Sequence, residues 1–206
     1  MRLLLYSSLL LFLVSCKSDY NLLPSAHPDQ QCVGTISPKG IETSWFTTSI
    51  DVVGKHMSGL LFIKRMDNGS SRIVFTNEVG VKFFDFEFTS SGQFIAIDVI
   101  PQLDKRAVIN TLRKDFELLL GIPFRKPVQA WTQGDEIYYG VPQKKETAYF
   151  ISDRDCASLQ RMELGSKRKR KVTVKLMGGQ PGIPDSVSIH HHTFAMDIVL
   201  KKLVKE

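Results

Sequence analysis

The amino-acid sequence predicts a mainly β protein: a curled antiparallel sheet or unclosed β-barrel of about eleven strands, packed on one main α-helix over residues 104–120 or so. Three observations carry that reading. Apolar and polar residues alternate through most of the chain after residue 43, most clearly where Phe84, Phe86 and Phe88 fall on one face and Asp85 and Glu87 on the other. Turn-forming sets such as Asp67-Asn68-Gly69 separate these runs at hairpin spacing. One stretch alone, from Asp104 to Leu120, changes to a helical period.

In chain order, residues 17–40 carry Pro24, Pro28 and Pro38 without a sustained apolar period, and are expected to form a spacer whose end packs through Cys32, Val33 and Ile36. Strands are then expected at Ser44 to Val53, His56 to Met66, Ser71 to Asn77, Gly80 to Thr89 and Gln93 to Ile100. In the last of these Ile95, Ile97 and Val99 share a face. The helix takes Asp104 as its N-cap and repeats Val108, Ile109, Leu112, Phe116, Leu119 and Leu120 until Gly121 and Pro123 stop it. Strands resume at Val128 to Thr132, Ile137 to Val141, Thr147 to Ser152, Leu159 to Leu164, Arg170 to Met177, Ser186 to His190 and Thr193 to Leu203. Residues 41–206 are thus expected to form a single half-barrel domain.

The first residues give an address. Arg2 precedes an apolar run from Leu3 to Val14, too short to cross a bilayer core, which needs about 20 apolar residues. Leu13-Val14-Ser15-Cys16 resembles the lipobox of bacterial lipoproteins. The resemblance implies a signal peptide over residues 1–15, cleavage before Cys16, and a diacylglycerol thioether on that cysteine. Lys17, in place of the Asp that tends to retain lipoproteins in the inner membrane, favours the outer membrane. The single acid in Lys17-Ser18-Asp19-Tyr20 favours the periplasmic side.

Formal charge is +6, and +5 once Arg2 leaves with the leader, which suits anionic head groups or acidic glycans. The compartment argues against nucleic acid as a partner. Cys32 and Cys156 remain as an even pair in an oxidising space, open to a disulfide or to two thiols.

No residue set announces catalysis, and no cofactor is implied. His190 and His192 would share a strand face, but no further ligands are placed to close a metal site, so His190-His191-His192 reads as an exposed bend. Asp85 and Glu87 read as surface. No G-x-S-x-G is present, and Gly178-Gly179-Gln180-Pro181-Gly182 lacks the Lys-Ser/Thr and helix of a phosphate loop. The basic run Lys167, Arg168, Lys169, Arg170 and Lys171 at a hairpin tip reads either as a solvated tip or as a contact for anionic head groups.

The stretches Ser58 to Lys64, Arg72 to Gly80, Phe83 to Phe88 and the helix Lys105 to Leu120 resemble a family of uncharacterised gram-negative outer-membrane lipoproteins. Their order of elements is similar to the lipoprotein-localisation fold, an unclosed antiparallel barrel holding an apolar cavity under a helical lid. The resemblance implies a non-enzymatic carrier or receptor for a lipid or lipoprotein, held at the membrane through Cys16. Phe84, Phe86, Phe88, Leu112 and Phe116 are the residues expected to line its cavity. The alternative is a structural or partner-binding envelope module with a filled core.

Overall fold

The structure is a computed structural model that describes residues 18–25, 29–37, 41, 43–166, 168–179 and 184–203. The leader, Cys16 and Lys167 lie outside the described residues. The elements are β1 (Leu23–Pro24), α1 (Gln30–Ile36), β2 (Thr43–Val52), β3 (Lys55–Arg65), β4 (Ser71–Thr76), β5 (Lys82–Phe88), β6 (Phe94–Val99) and α2 (Arg106–Leu119). A 3-10 turn (Ile122–Arg125) precedes β7 (Gln129–Gln133), β8 (Glu136–Pro142), β9 (Thr147–Asp153), β10 (Leu159–Gly165), β11 (Arg170–Met177), β12 (Ser186–His191) and β13 (Met196–Lys202).

All thirteen strands form one sheet in the order β1-β7-β8-β9-β10-β11-β12-β13-β2-β3-β4-β5-β6. Neighbours are antiparallel throughout, and the sheet stays unclosed, with β1 and β6 at its edges. Where β13 meets β2, Met196 lies opposite Val52 and Lys202 opposite Phe46, so the last strand joins the two halves. Period-two alternation sends one face of each strand inward: Phe46 and Ile50 from β2, Phe84, Phe86 and Phe88 from β5, and Met196, Ile198 and Leu200 from β13 are all buried. Helix α2 lays Leu112, Phe116 and Leu119 on that inner face, with the Phe116 ring 5.9 Å from that of Phe84.

Four local expectations are corrected. Asp104 does not cap α2, because the turn after β6 uses the N–H groups of both Leu103 and Asp104 on the Ile100 carbonyl; Lys105 takes the cap position without a side-chain bond. Ile95 and Ile97 do not share a buried face with Val99: the register between β5 and β6 shifts at Asp85/Phe86, which leaves both isoleucines exposed and turns Val99 toward the core. Asp85 is not surface, since Arg72 and Lys82 fold over it. The described part of the expected spacer carries a helix where no element is expected, while its end packs through Cys32, Val33 and Ile36 as expected. Asp29 caps α1 through the Gln31 N–H at 2.8 Å, Cys32 and Ile36 are buried, and Cys32 forms a disulfide with Cys156 across a Cα separation of 5.4 Å. Two buried positions four residues apart are enough to seat one short helix.

The segment before α1 also packs, on the outer face. Tyr20 lies among Tyr138, Tyr149 and Ile151, and its hydroxyl donates to buried Glu163 at 3.1 Å. Gly165 makes room for it, because a Cβ there would fall 2.3 Å from the tyrosine oxygen. Beside it, Arg161 bridges Glu163 and Glu136, whose carboxyl it holds below the usual range. Burial pushes the Tyr138 phenol up to about 12.

Candidate functional site

A pocket of about 370 Å³ opens between α2 and the ends of β10, β11 and β12. Thr111, Lys114 and Asp115 face it from α2, at the three- and four-residue spacings that share one helix face. Leu164 and Val172, on the inward side of their strands, supply an apolar wall. Phe194, in the loop between β12 and β13, stands at the lip.

Two polar arrangements frame this pocket, one at its mouth and one buried. Glu146 accepts from Lys114 and Lys171, each at 2.6 Å; burial pushes its carboxyl up, but the two ammonium groups together outweigh this and hold it below the usual range. Helix and sheet are thereby pinned across the mouth. Deeper in, the His191 ring nitrogen Nε2 lies 3.0 Å from Asp115 Oδ2, with both side chains almost fully buried. Burial pushes the Asp115 carboxyl above its ordinary range, and Oδ1 has no partner among the described residues. His191 thus faces inward rather than forming part of an exposed bend. His190 pairs with Asp197 on the outer side at 2.6 Å, with its ring 4.7 Å from that of His192. Among the described residues no group of three or more His, Cys, Asp or Glu is arranged to hold a metal.

The residues expected to line a cavity take a different place. Phe84, Phe86, Phe88, Leu112 and Phe116 are buried in the main core, where the Phe84 and Phe86 rings stack at 4.5 Å, and the pocket walls come from other side chains. The basic run also divides. Arg170 pairs with Glu163 at 3.0 Å and Lys171 with Glu146, while Arg168 and Lys169 remain exposed at the tip. The Asp19 N–H donates to the Arg168 carbonyl and the Arg170 N–H donates to Asp19 Oδ2, both at 2.9 Å, so the chain just after residue 17 is fastened to this tip. Asp115 and His191, 76 residues apart in sequence, carry no local pattern by which sequence reasoning finds them.

No family model matches the chain, and no curated protein matches it by sequence. Among solved structures, the chain is similar to a DUF1329 family protein from Desulfovibrio piger, at 11% identity and a TM-score of 0.44 over 84% of this chain and 86% of the other. It is also similar to a domain from Vibrio parahaemolyticus named for outer-membrane lipoprotein sorting, at 8% identity and a TM-score of 0.43 over 85% and 88% of the two chains.

Proposed function

We propose that this chain is a non-enzymatic envelope protein, anchored at the outer membrane by lipid on Cys16 and facing the periplasm, that binds an acylated or otherwise apolar ligand. The pocket beneath α2 carries the ligand reading. Its volume of about 370 Å³ lies within the range of about 300–1,000 Å³ found for small-molecule sites, and Leu164, Val172 and Phe194 give it an apolar wall. In this reading the phenylalanines of β5, with Leu112 and Phe116, form the rigid packing that holds α2 in place. They do not themselves contact the ligand.

Protein purified from its native membranes is expected to carry lipid detectable by native mass spectrometry. Val172→Trp, which fills the pocket, is expected to lose that lipid while keeping the β-sheet circular dichroism of the wild type. Wild-type protein that is lipid-free on extraction overturns the ligand reading.

One observation favours the rival reading of a partner-binding module: β6 is an edge strand of the sheet and carries exposed Ile95 and Ile97. A photo-crosslinker at Ile97 that captures one recurrent envelope protein, from cells in which no lipid co-purifies, would favour it.

A further inference from the structure

We infer that one end of the sheet is a membrane-docking surface whose apolar turn tips enter the bilayer interface and whose exposed bases meet anionic phospholipid head groups. This rests on the lipid-anchored reading above, and it adds which part of the fold faces the membrane and how. Antiparallel order places the β2–β3, β4–β5, β8–β9, β10–β11 and β12–β13 turns at the same end. At their tips stand Val79, 84% exposed, Val53 at 73%, Val81 at 53% and Phe194 at 41%. Val53 is the most telling, because it also sits at φ 46° ahead of Gly54 at φ 76°, where Asn or Asp before Gly is the ordinary choice and a β-branched residue is strained. Sterics and solvent both argue against valine there. The Val53 N–H donates to the Ala195 carbonyl at 2.9 Å, which holds this turn beside the Phe194 loop.

Exposed bases stand among these tips. Exposed Lys55, Lys144, Lys145, Arg168 and Lys169 stand in or beside the turns of the docking end, with Asp19 and Glu78 and with Asp51 and Asp197, which His56 and His190 pair. The turns at the other end carry Asp67, Asp135, Asp155 and Asp185 with Arg65, Arg125, Arg154 and Lys201 in or beside them, Arg154 reaching Asp135 at 3.4 Å; Met177 and Leu203 are exposed there. Ser18 and Asp19 are fastened at Arg168, so a lipid on Cys16 enters the membrane from the docking end. Three separate turn tips, carrying four exposed apolar side chains with bases between them, match a fluid, yielding, anionic surface better than the complementary face of a folded protein. The pocket, with Phe194 at its lip, opens at this same end.

The test uses the full lipidated chain in vesicles of phosphatidylethanolamine and phosphatidylglycerol, with an environment-sensitive fluorophore on one added cysteine. Labels at Val53→Cys, Val79→Cys and Phe194→Cys are expected to shift to the blue and to be quenched by nitroxide lipids. Labels at Asn68→Cys and Asp135→Cys are expected to read water. If the protein floats with the vesicles but all five labels read water, the docking end is overturned while the anchor stands. Quenching at Asn68 or Asp135 in place of the three overturns it too. The Cys16→Ser protein, soluble in cells, separates the two ideas: it is expected to retain weak, salt-sensitive vesicle binding that falls at least tenfold in Val53→Asp/Val79→Asp. Binding unchanged by that double substitution counts against the docking end.

Discussion

At the scale of single residues, the charges that matter are those the sheet has closed over. Asp85 sits on the face opposite Phe84 and Phe86 and is nonetheless buried, with Arg72 donating to both of its oxygens at 2.8 Å and Lys82 adding a third bond at 3.0 Å. The Arg72 guanidinium, aided by Lys82 against the upward push of burial, holds this carboxyl below the usual range. A depressed carboxylate contributes stability that is complete above its unfolded value of about 3.9 and is lost as pH falls through the lower folded value. Asp85→Asn is therefore expected to lower unfolding free energy by about 1–3 kcal/mol at neutral pH, and to flatten its decline below about pH 4, in urea titrations across pH. Alternation in the sequence tells which face Asp85 is on. It does not tell whether that face is covered, because the covering side chain of Arg72 belongs to another strand. Three consecutive histidines likewise do not reveal which one turns inward; that follows from the register that sets His191 opposite Val172, and from a helix placed far earlier in the chain.

At the scale of elements, long periodic segments were legible and short ones were not. Every strand from β2 to β13 has its counterpart in the sequence pattern, with ends displaced by a few residues, and α2 follows from its apolar spacing. Helix α1 spans seven residues and β1 two, too few for any period to register. Tertiary bonds hold them instead. The Cys32–Cys156 disulfide joins α1 to the turn between β9 and β10 across 124 residues of sequence. Reducing it is expected to cost about 2–5 kcal/mol, measured by urea unfolding with and without reductant. Amide exchange in residues 30–36 is expected to rise well before that of β9 or β10.

At the scale of the whole molecule, the chain is two runs of neighbouring hairpins, β2 to β6 and β7 to β12, made continuous by β13. That last strand contributes three fully buried side chains, Met196, Ile198 and Leu200, and pairs on both sides. Deleting residues 196–206 is expected to abolish the single cooperative unfolding transition, leaving a broad, non-cooperative loss of β circular dichroism on heating. The disulfide takes on a second meaning if the proposed lipid on Cys16 holds the fold by its N-terminus. Tension on the anchor would first strip the hydrogen bonds of Asp19 and Tyr20, then the two-residue strand β1, and next reach α1. There it meets a covalent bond. Load arriving at Cys32 passes through sulfur to Cys156 and into the sheet, so the N-terminal segment can peel away and reseat like a strap on a rivet, while the body of the protein stays folded.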